Sequence, residues 1–272
     1  MKVQILDGAI GTELSFRGVE LRAPRWSAIA VDSAPDGLGD IHRDYASAGA
    51  TLHVANTFRT QPGAYGEGWA DALRAAVRIA REALPAGSTL LGSIAPVEDC
   101  YRPELSPGAA SRSVHREVAA ALAAAGCDAL LCETHSNAAE ALAASEAAIA
   151  TGLPTWLSLT AGPFAELASP AELRAIAKDA ASIGVERVLV NCIAATRVTP
   201  YVEAVGGADV PIGAYANAGA KDEGLGWSAT GQDGADAYAD LAKRWVDAGA
   251  SVVGGCCGTS PLHVRALAER LA

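Results

Sequence analysis

Positive charge, long apolar runs and phosphate-binding glycine loops are what this sequence is short of. Four lysines and seventeen arginines face 31 acidic residues, giving a formal net charge of -10. Nucleic acid and anionic membrane surfaces both require basic patches, so neither is an expected partner. No uninterrupted apolar run is long enough to span a bilayer. The first apolar stretch is cut by Asp7 and Glu13, which argues against a secretory leader. Six cysteines without an export signal imply a reducing compartment, so a cytoplasmic location is expected. No Gly-x-Gly-x-x-Gly follows the first apolar run, and no P-loop or Ser-His-Asp order stands out.

One unit recurs instead. A helical pattern ends in Ala-Gly or a lone Gly, and an apolar run follows within a few residues. The glycines are Gly49, Gly126, Gly184 and Gly249, each suited to a left-handed helix cap. The preceding segments carry helical periodicity, with Trp69, Leu73, Val77, Ala80 and Leu84 on one face. Val114, Val118 and Leu122 share a second such face, and Tyr238, Leu241 and Trp245 a third. Strands are expected at residues 3–6, 51–55, 89–94, 129–132, 155–159, 187–190, 211–215 and 251–254. A final helix is opened by Thr259-Ser260-Pro261. Eight alternations without a break in composition predict one α/β domain over residues 1–272, a single (β/α)8 TIM barrel. An open doubly wound sheet is the rival architecture.

The polar residues all fall on one rim of such a barrel. Asp7 follows the first strand, Asn56-Thr57 the second and Glu133 the fourth. Cys192 follows the sixth, Asn217 the seventh and Cys256-Cys257 the eighth. Those carboxyl ends form the mouth where active sites of this fold are built.

Adjacent Cys256 and Cys257 cannot easily close a relaxed disulfide with each other. With glycines on both sides, they can turn sharply enough to grip one metal ion, and Cys192 supplies a third sulfur. Three thiolates select Zn2+ among the common ions and leave a fourth corner open. An incoming thiol there would lose its proton. Cys100, Cys127 and Cys132 are read as small buried residues. Asp7 in Asp7-Gly8-Ala9 is either a turn residue or a ligand for a substrate ammonium, and Glu133 is either a surface carboxylate or its companion. The Gly8 and Ala9 amides then suit a substrate carboxylate. Asn217 either bonds a ligand or shapes a turn; Trp227 either covers the mouth, with a cation-π face, or anchors a loop. His53 and His263 are read as packing residues.

The segments Leu6-Asp7-Gly8-Ala9-Ile10-Gly11-Thr12-Glu13-Leu14, Ala55-Asn56-Thr57-Phe58, Cys132-Glu133-Thr134, Val190-Asn191-Cys192 and Gly254 through Thr259 resemble the zinc-dependent homocysteine S-methyltransferase family. The resemblance runs from Asp7 to the last helix. It implies a (β/α)8 barrel with zinc on Cys192, Cys256 and Cys257, and homocysteine held through Asp7 and Glu133. Direct displacement of a methyl group would then give methionine. Departures fall on the donor side: the excursions after the third and fifth strands are short, and Ala216 stands where many relatives have proline. An anionic mouth favours a sulfonium donor, S-methylmethionine or S-adenosylmethionine; betaine fits on charge, but the extension of the betaine enzymes is missing. A corrinoid route would need a separate methyl-carrier protein. The remaining alternative is a structural zinc beside an unrelated ligand.

Overall fold

The four cap glycines take the backbone expected of them, with φ of 108° at Gly49, 91° at Gly126, 104° at Gly184 and 104° at Gly249. Each frees the chain to leave a helix and enter a strand at once. The structure is a computed structural model describing residues 2–220, 222–227 and 231–272. Its strands are β1 (Gln4–Ile5), β2 (Leu52–Val54), β3 (Thr89–Ile94), β4 (Ala129–His135), β5 (Thr155–Leu159), β6 (Arg187–Ala194), β7 (Ile212–Asn217) and β8 (Ala250–Gly255).

All eight are parallel neighbours in one sheet, in the order β1-β8-β7-β6-β5-β4-β3-β2. A parallel bridge between Leu6 and Leu52 joins the two ends, together with the bond from the Asp7 N–H to the Leu52 carbonyl (3.0 Å). The sheet is therefore closed into an α/β barrel of the TIM type, with helices between successive strands. Leu6, Leu52, Leu91, Leu131, Leu189 and Val252 pack against one another inside it. The opposite face of each strand meets the helical layer in a larger apolar core.

The predicted helical faces are present. Leu73, Val77 and Ala80 are buried on α5 (Trp69–Ala83), Val118 and Leu122 on α6 (Arg112–Ala124), and Tyr238 and Trp245 on α10 (Gln232–Asp247). The last helix, α11 (Pro261–Leu271), begins with Ser260 at its N-cap and Pro261 in the first turn. No described helix is long and apolar enough to cross a membrane.

Three strands run at least two residues further at their carboxyl ends than expected. β4, β6 and β7 continue through Glu133, Cys192 and Asn217, so these residues lie inside strands and do not follow them. The extensions of β4 and β6 contain register shifts, between Cys132 and His135 and between Asn191 and Ala194. A bulge breaks the strict alternation of side chains and re-aims those beyond it.

Candidate metal centre and active site

The two bulges build the site. Thr134 and Cys192 both take left-handed backbone, φ 62° and 53°, which residues with a Cβ adopt at a cost of about 1–3 kcal/mol. Asn191 couples the bulges. Its Nδ2 donates to Thr134 Oγ1 (2.8 Å), and its Oδ1 accepts from Ser158 Oγ (2.8 Å). The side chain following Thr134-linked Asn191 is Cys192, which turns into the mouth.

Cys256 and Cys257 are carried just past β8. The Cys256 N–H donates to the Ala216 carbonyl (2.8 Å), and the Ala218 N–H to the Cys257 carbonyl (2.9 Å), so the loop is sewn to the end of β7. Thr259 Oγ1 donates to the Cys256 carbonyl (2.7 Å), and the buried Tyr238 hydroxyl reaches the carbonyls of both Ala216 (2.8 Å) and Gly254 (2.9 Å). A Cβ on Gly254 would stand 2.7 Å from that of Leu6, and one on Gly255 would collide with Thr259; only glycine lets the strand and the cysteine loop pack this closely.

The outcome is a cluster of three free thiols whose sulfurs lie within 4.8 Å of one another, Cys192 and Cys256 at 2.7 Å. Four-coordinate zinc with bonds of about 2.3 Å needs sulfurs roughly 3.8 Å apart. With every pair inside 4.8 Å, the three sulfurs are grouped closely enough for one ion, and the donor set fits zinc in number and softness. Cys257 is held well below the ordinary thiol range because Cys192 and then Cys256 hydrogen-bond to its sulfur. Hydrogen bonds with Cys192 and then Cys257 push Cys256 up.

All three cysteines line a cavity of about 540 Å³. Asp7, Gly8, Ala9 and Glu133 line it too. Asp7 is almost fully buried, and burial pushes its carboxyl well up, partly offset by the Val54 N–H that donates to Oδ2 (3.0 Å). Glu133 accepts from Ser93 Oγ (2.7 Å). Burial raises it to about 7 against that bond, with the neighbouring Cys192 sulfur adding to the rise. Two carboxylates so placed lack a cation among the described residues that touch them, which suits a positively charged group on a ligand. The Ala9 N–H already donates to Thr259 Oγ1 (3.3 Å).

Asn217 and Trp227 stand elsewhere. Asn217 donates to the Cys192 carbonyl (3.1 Å), and its buried Oδ1 has no hydrogen-bond partner among the described residues. Trp227 donates its indole N–H to the Gly219 carbonyl (2.6 Å) and lays its ring against Gly258, beside the cysteines. Neither belongs to the described cavity wall.

The wall also contains residues to which the sequence reading gave no role in the site: Trp26, Phe58, Arg59, Cys100 and Tyr101. Trp26 meets Phe58 edge to face at 6.4 Å, and the Arg59 guanidinium lies 5.1 Å from the Phe58 ring centre. Cys100 is buried and pushed up to about 12 by that burial, with the Cys192 sulfur next in effect. The Tyr101 hydroxyl stands against the Cys192 sulfur. Position held the signal: both residues follow β3, and every loop at that end overlooks the mouth.

Similarity to known proteins agrees with this geometry. The sequence profile described as homocysteine S-methyltransferase matches residues 4–271. The homocysteine S-methyltransferase of Escherichia coli K12 is 30% identical over 303 aligned positions, covering 98% of this chain and 95% of that protein. The selenocysteine Se-methyltransferase of Brassica oleracea var. italica is 27% identical, covering 98% and 89%. Among solved structures, the metallated form of the homocysteine methyltransferase MmuM from Escherichia coli superposes with a TM-score of 0.83 at 27% identity, covering 99% of this chain and 96% of that one. Its apo form gives 0.75 over the same extents. Matched along nearly its whole length, the chain belongs to the homocysteine S-methyltransferase family, a family of methyltransferases.

Proposed function

We propose that this protein transfers a methyl group from a small sulfonium compound to homocysteine held on zinc, giving methionine. One observation carries the reading: three thiols converge in a cavity that is also lined by two carboxylates, the buried Asp7 and the half-buried Glu133. The first half suits a metal-bound thiol and the second an α-ammonium group. Homocysteine contains both.

Cys192, Cys256 and Cys257 would hold the zinc, which when bound lowers the acidity barrier of the incoming thiol while leaving its sulfur electron-rich. Asp7 and Glu133 take the ammonium group and fix the amino acid in one orientation. Ala9 spends its N–H on Thr259, which leaves the Gly8 side of the turn for the carboxylate. Trp26 and Tyr101 offer aromatic rings to the donor, while Arg59 already covers Phe58, and Glu98 and Asp99 add negative charge there. Both features attract an onium group. The homocysteine sulfur attacks the donor methyl carbon as the carbon–sulfonium bond breaks. That bonding pair stays on the donor sulfur, which leaves as a neutral thioether, and the thiol proton has already passed to solvent. No proton moves in the displacement itself, so alignment supplies much of the acceleration.

The six free thiols are also consistent with work in a reducing cytoplasm. The test is a donor screen at fixed homocysteine, with and without a chelator. Methionine formed from S-methylmethionine or S-adenosylmethionine, and abolished by chelation, is the expected result. No methionine from any sulfonium or betaine donor overturns the direct route, and a gain only with a methylated corrinoid protein replaces it with a carrier-dependent one.

A further inference from the structure

Around Asp7, between β2 and the helical layer, lies a second cluster of ligand-type residues. Strand β2 points Leu52 and Val54 towards the barrel interior, so His53 between them faces the helical layer. The helix α3 (Pro35–Ser47) presents His42 on its buried face, with Leu38 and Tyr45. His42, His53 and Asp7 each place one ligand atom within 4.8 Å of the others, and all three residues are buried. His53 Nδ1 lies 3.8 Å from Asp7 Oδ2.

The two imidazoles are anomalous as packing residues. Among the described residues, none of their four ring nitrogens has a hydrogen-bond partner, although both side chains are fully buried. A buried polar group without a partner destabilises the fold, and two such rings side by side add to that cost. Burial also keeps them neutral, His42 at about 3, with His53 contributing, and His53 at about 4, so their lone pairs stay available near neutral pH. The Ala50 carbonyl stands by the His53 ring, outside strict hydrogen-bond geometry, as a backbone carbonyl does behind many metal-ligating histidines.

We propose that His42, His53 and Asp7 form a second metal site, selective for a divalent first-row ion that accepts nitrogen and carboxylate donors, such as zinc or cobalt(II). Two neutral imidazoles and one carboxylate leave a bound dication with one net positive charge in a buried setting. This site therefore fills after the three-thiolate centre, which compensates the ion fully. Asp7 lines the cavity, so the ion has a route in from the mouth. Filling the site diverts the Asp7 carboxylate and sets positive charge beside the position of the substrate ammonium. Excess metal thus works against homocysteine binding. That consequence rests on the role proposed for Asp7 above; the metal site itself does not.

The experiment is metal titration of the intact protein, with bound metal counted per chain after gel filtration at a fixed free concentration of zinc or cobalt(II). Wild type is expected to bind two ions, and His53→Ile and His42→Leu one each, with folding checked by thermal melting. His53→Ile places a strand-forming aliphatic residue in β2, which keeps the test open where the helix variant fails to fold. Cys192→Ser is expected to weaken the sulfur-to-cobalt charge-transfer band and to keep one cobalt ion with nitrogen and oxygen character. Saturation of wild type at one ion, or two ions retained by His53→Ile, overturns the site. Kinetically, the second equivalent is expected to raise the homocysteine KM about tenfold with little change in kcat, and His53→Ile to abolish that effect. A second ion that binds without moving KM leaves the metal site standing and removes Asp7 from ammonium binding.

Discussion

Replacing Glu133 with Gln isolates the cost of keeping a carboxylate in the mouth. In the free protein, burial lifts this carboxyl from 4.5 to about 7 in spite of the Ser93 hydrogen bond. An acid raised in this way binds its proton more tightly folded than unfolded. Between about 4.5 and 7 the folded state therefore holds more protons, and stability falls as pH rises. The favourable contribution is fully present below 4.5 and is lost as pH climbs through 7. The interval converts to about 3 kcal/mol at most. Glu133 is only partly buried by exposed area and keeps its bond to Ser93, so roughly 1–2 kcal/mol is the realistic share. For a chain of this length that is about 2–4 °C in Tm.

The assay is thermal melting of metal-free wild type and Glu133→Gln at pH 5 and pH 8. The variant is expected to gain about 2–4 °C on wild type at pH 8 relative to their difference at pH 5. An equal difference at both pH values refutes the electrostatic reasoning. Activity moves the other way. Loss of a charged partner for the ammonium is worth about 1.5–3 kcal/mol, or roughly a 10- to 150-fold rise in homocysteine KM. The ratio of the two KM values should widen as pH rises through 7, because only wild type gains a negative charge there. Ionisation of the homocysteine thiol is common to both proteins and cancels in that ratio. The residue is then one whose instability in the empty site is the counterpart of its attraction for a cation.

Four other outcomes follow from the same geometry. Cys192→Ser removes one of three sulfurs and should lower zinc affinity by about 10- to 100-fold or more, read as metal content after dialysis; wild-type-like zinc retention would count against the shared centre. Asp7→Asn keeps the shape and the bond from the Val54 N–H but drops the charge, so homocysteine KM should rise about tenfold or more with donor KM unchanged. Gly255→Ala drives a Cβ into Thr259 and should cost about 1–3 kcal/mol while loosening the metal, a combination checked by denaturant unfolding and zinc analysis. Trp26→Ala opens the aromatic wall and should raise the KM for a sulfonium donor by about 2- to 30-fold, with homocysteine KM held within twofold; equal effects on both substrates would place Trp26 outside the donor side.

The architecture was legible because its signals are local and repeated. Gly49, Gly126, Gly184 and Gly249 each end a helix with positive φ, and the apolar run after each must be a strand covered on both faces. Once eight such units close into a barrel, topology alone sends Asp7, Glu133, Cys192, Cys256 and Cys257 to one end. The ends of β4 and β6 were less legible. A bulge depends on partners two strands away, and neither Thr134 nor Cys192 belongs to a residue type that announces a left-handed backbone. Cys100 was passed over as a small buried residue because its composition says no more than that. Its loop position, which follows from counting strands, carries the information its chemistry does not.

The strain at Thr134 and Cys192 has to be balanced elsewhere, and the balance runs through Asn191. A bulge on β4 alone would aim Glu133 into the mouth, and a bulge on β6 alone would aim Cys192 there. The Asn191–Thr134 bond makes the two conditional on each other, with Ser158 on the intervening β5 holding the other end of the amide. All three partners are buried, so breaking the link leaves unpaired polar groups as well as releasing backbone strain. The carboxylate proposed to orient the amino acid and the sulfur proposed to hold the metal are in this way set by a single side chain that touches neither ligand. Placement of the ammonium relative to the thiol is then a property of the strand ends as a unit, which is what a displacement governed by alignment requires.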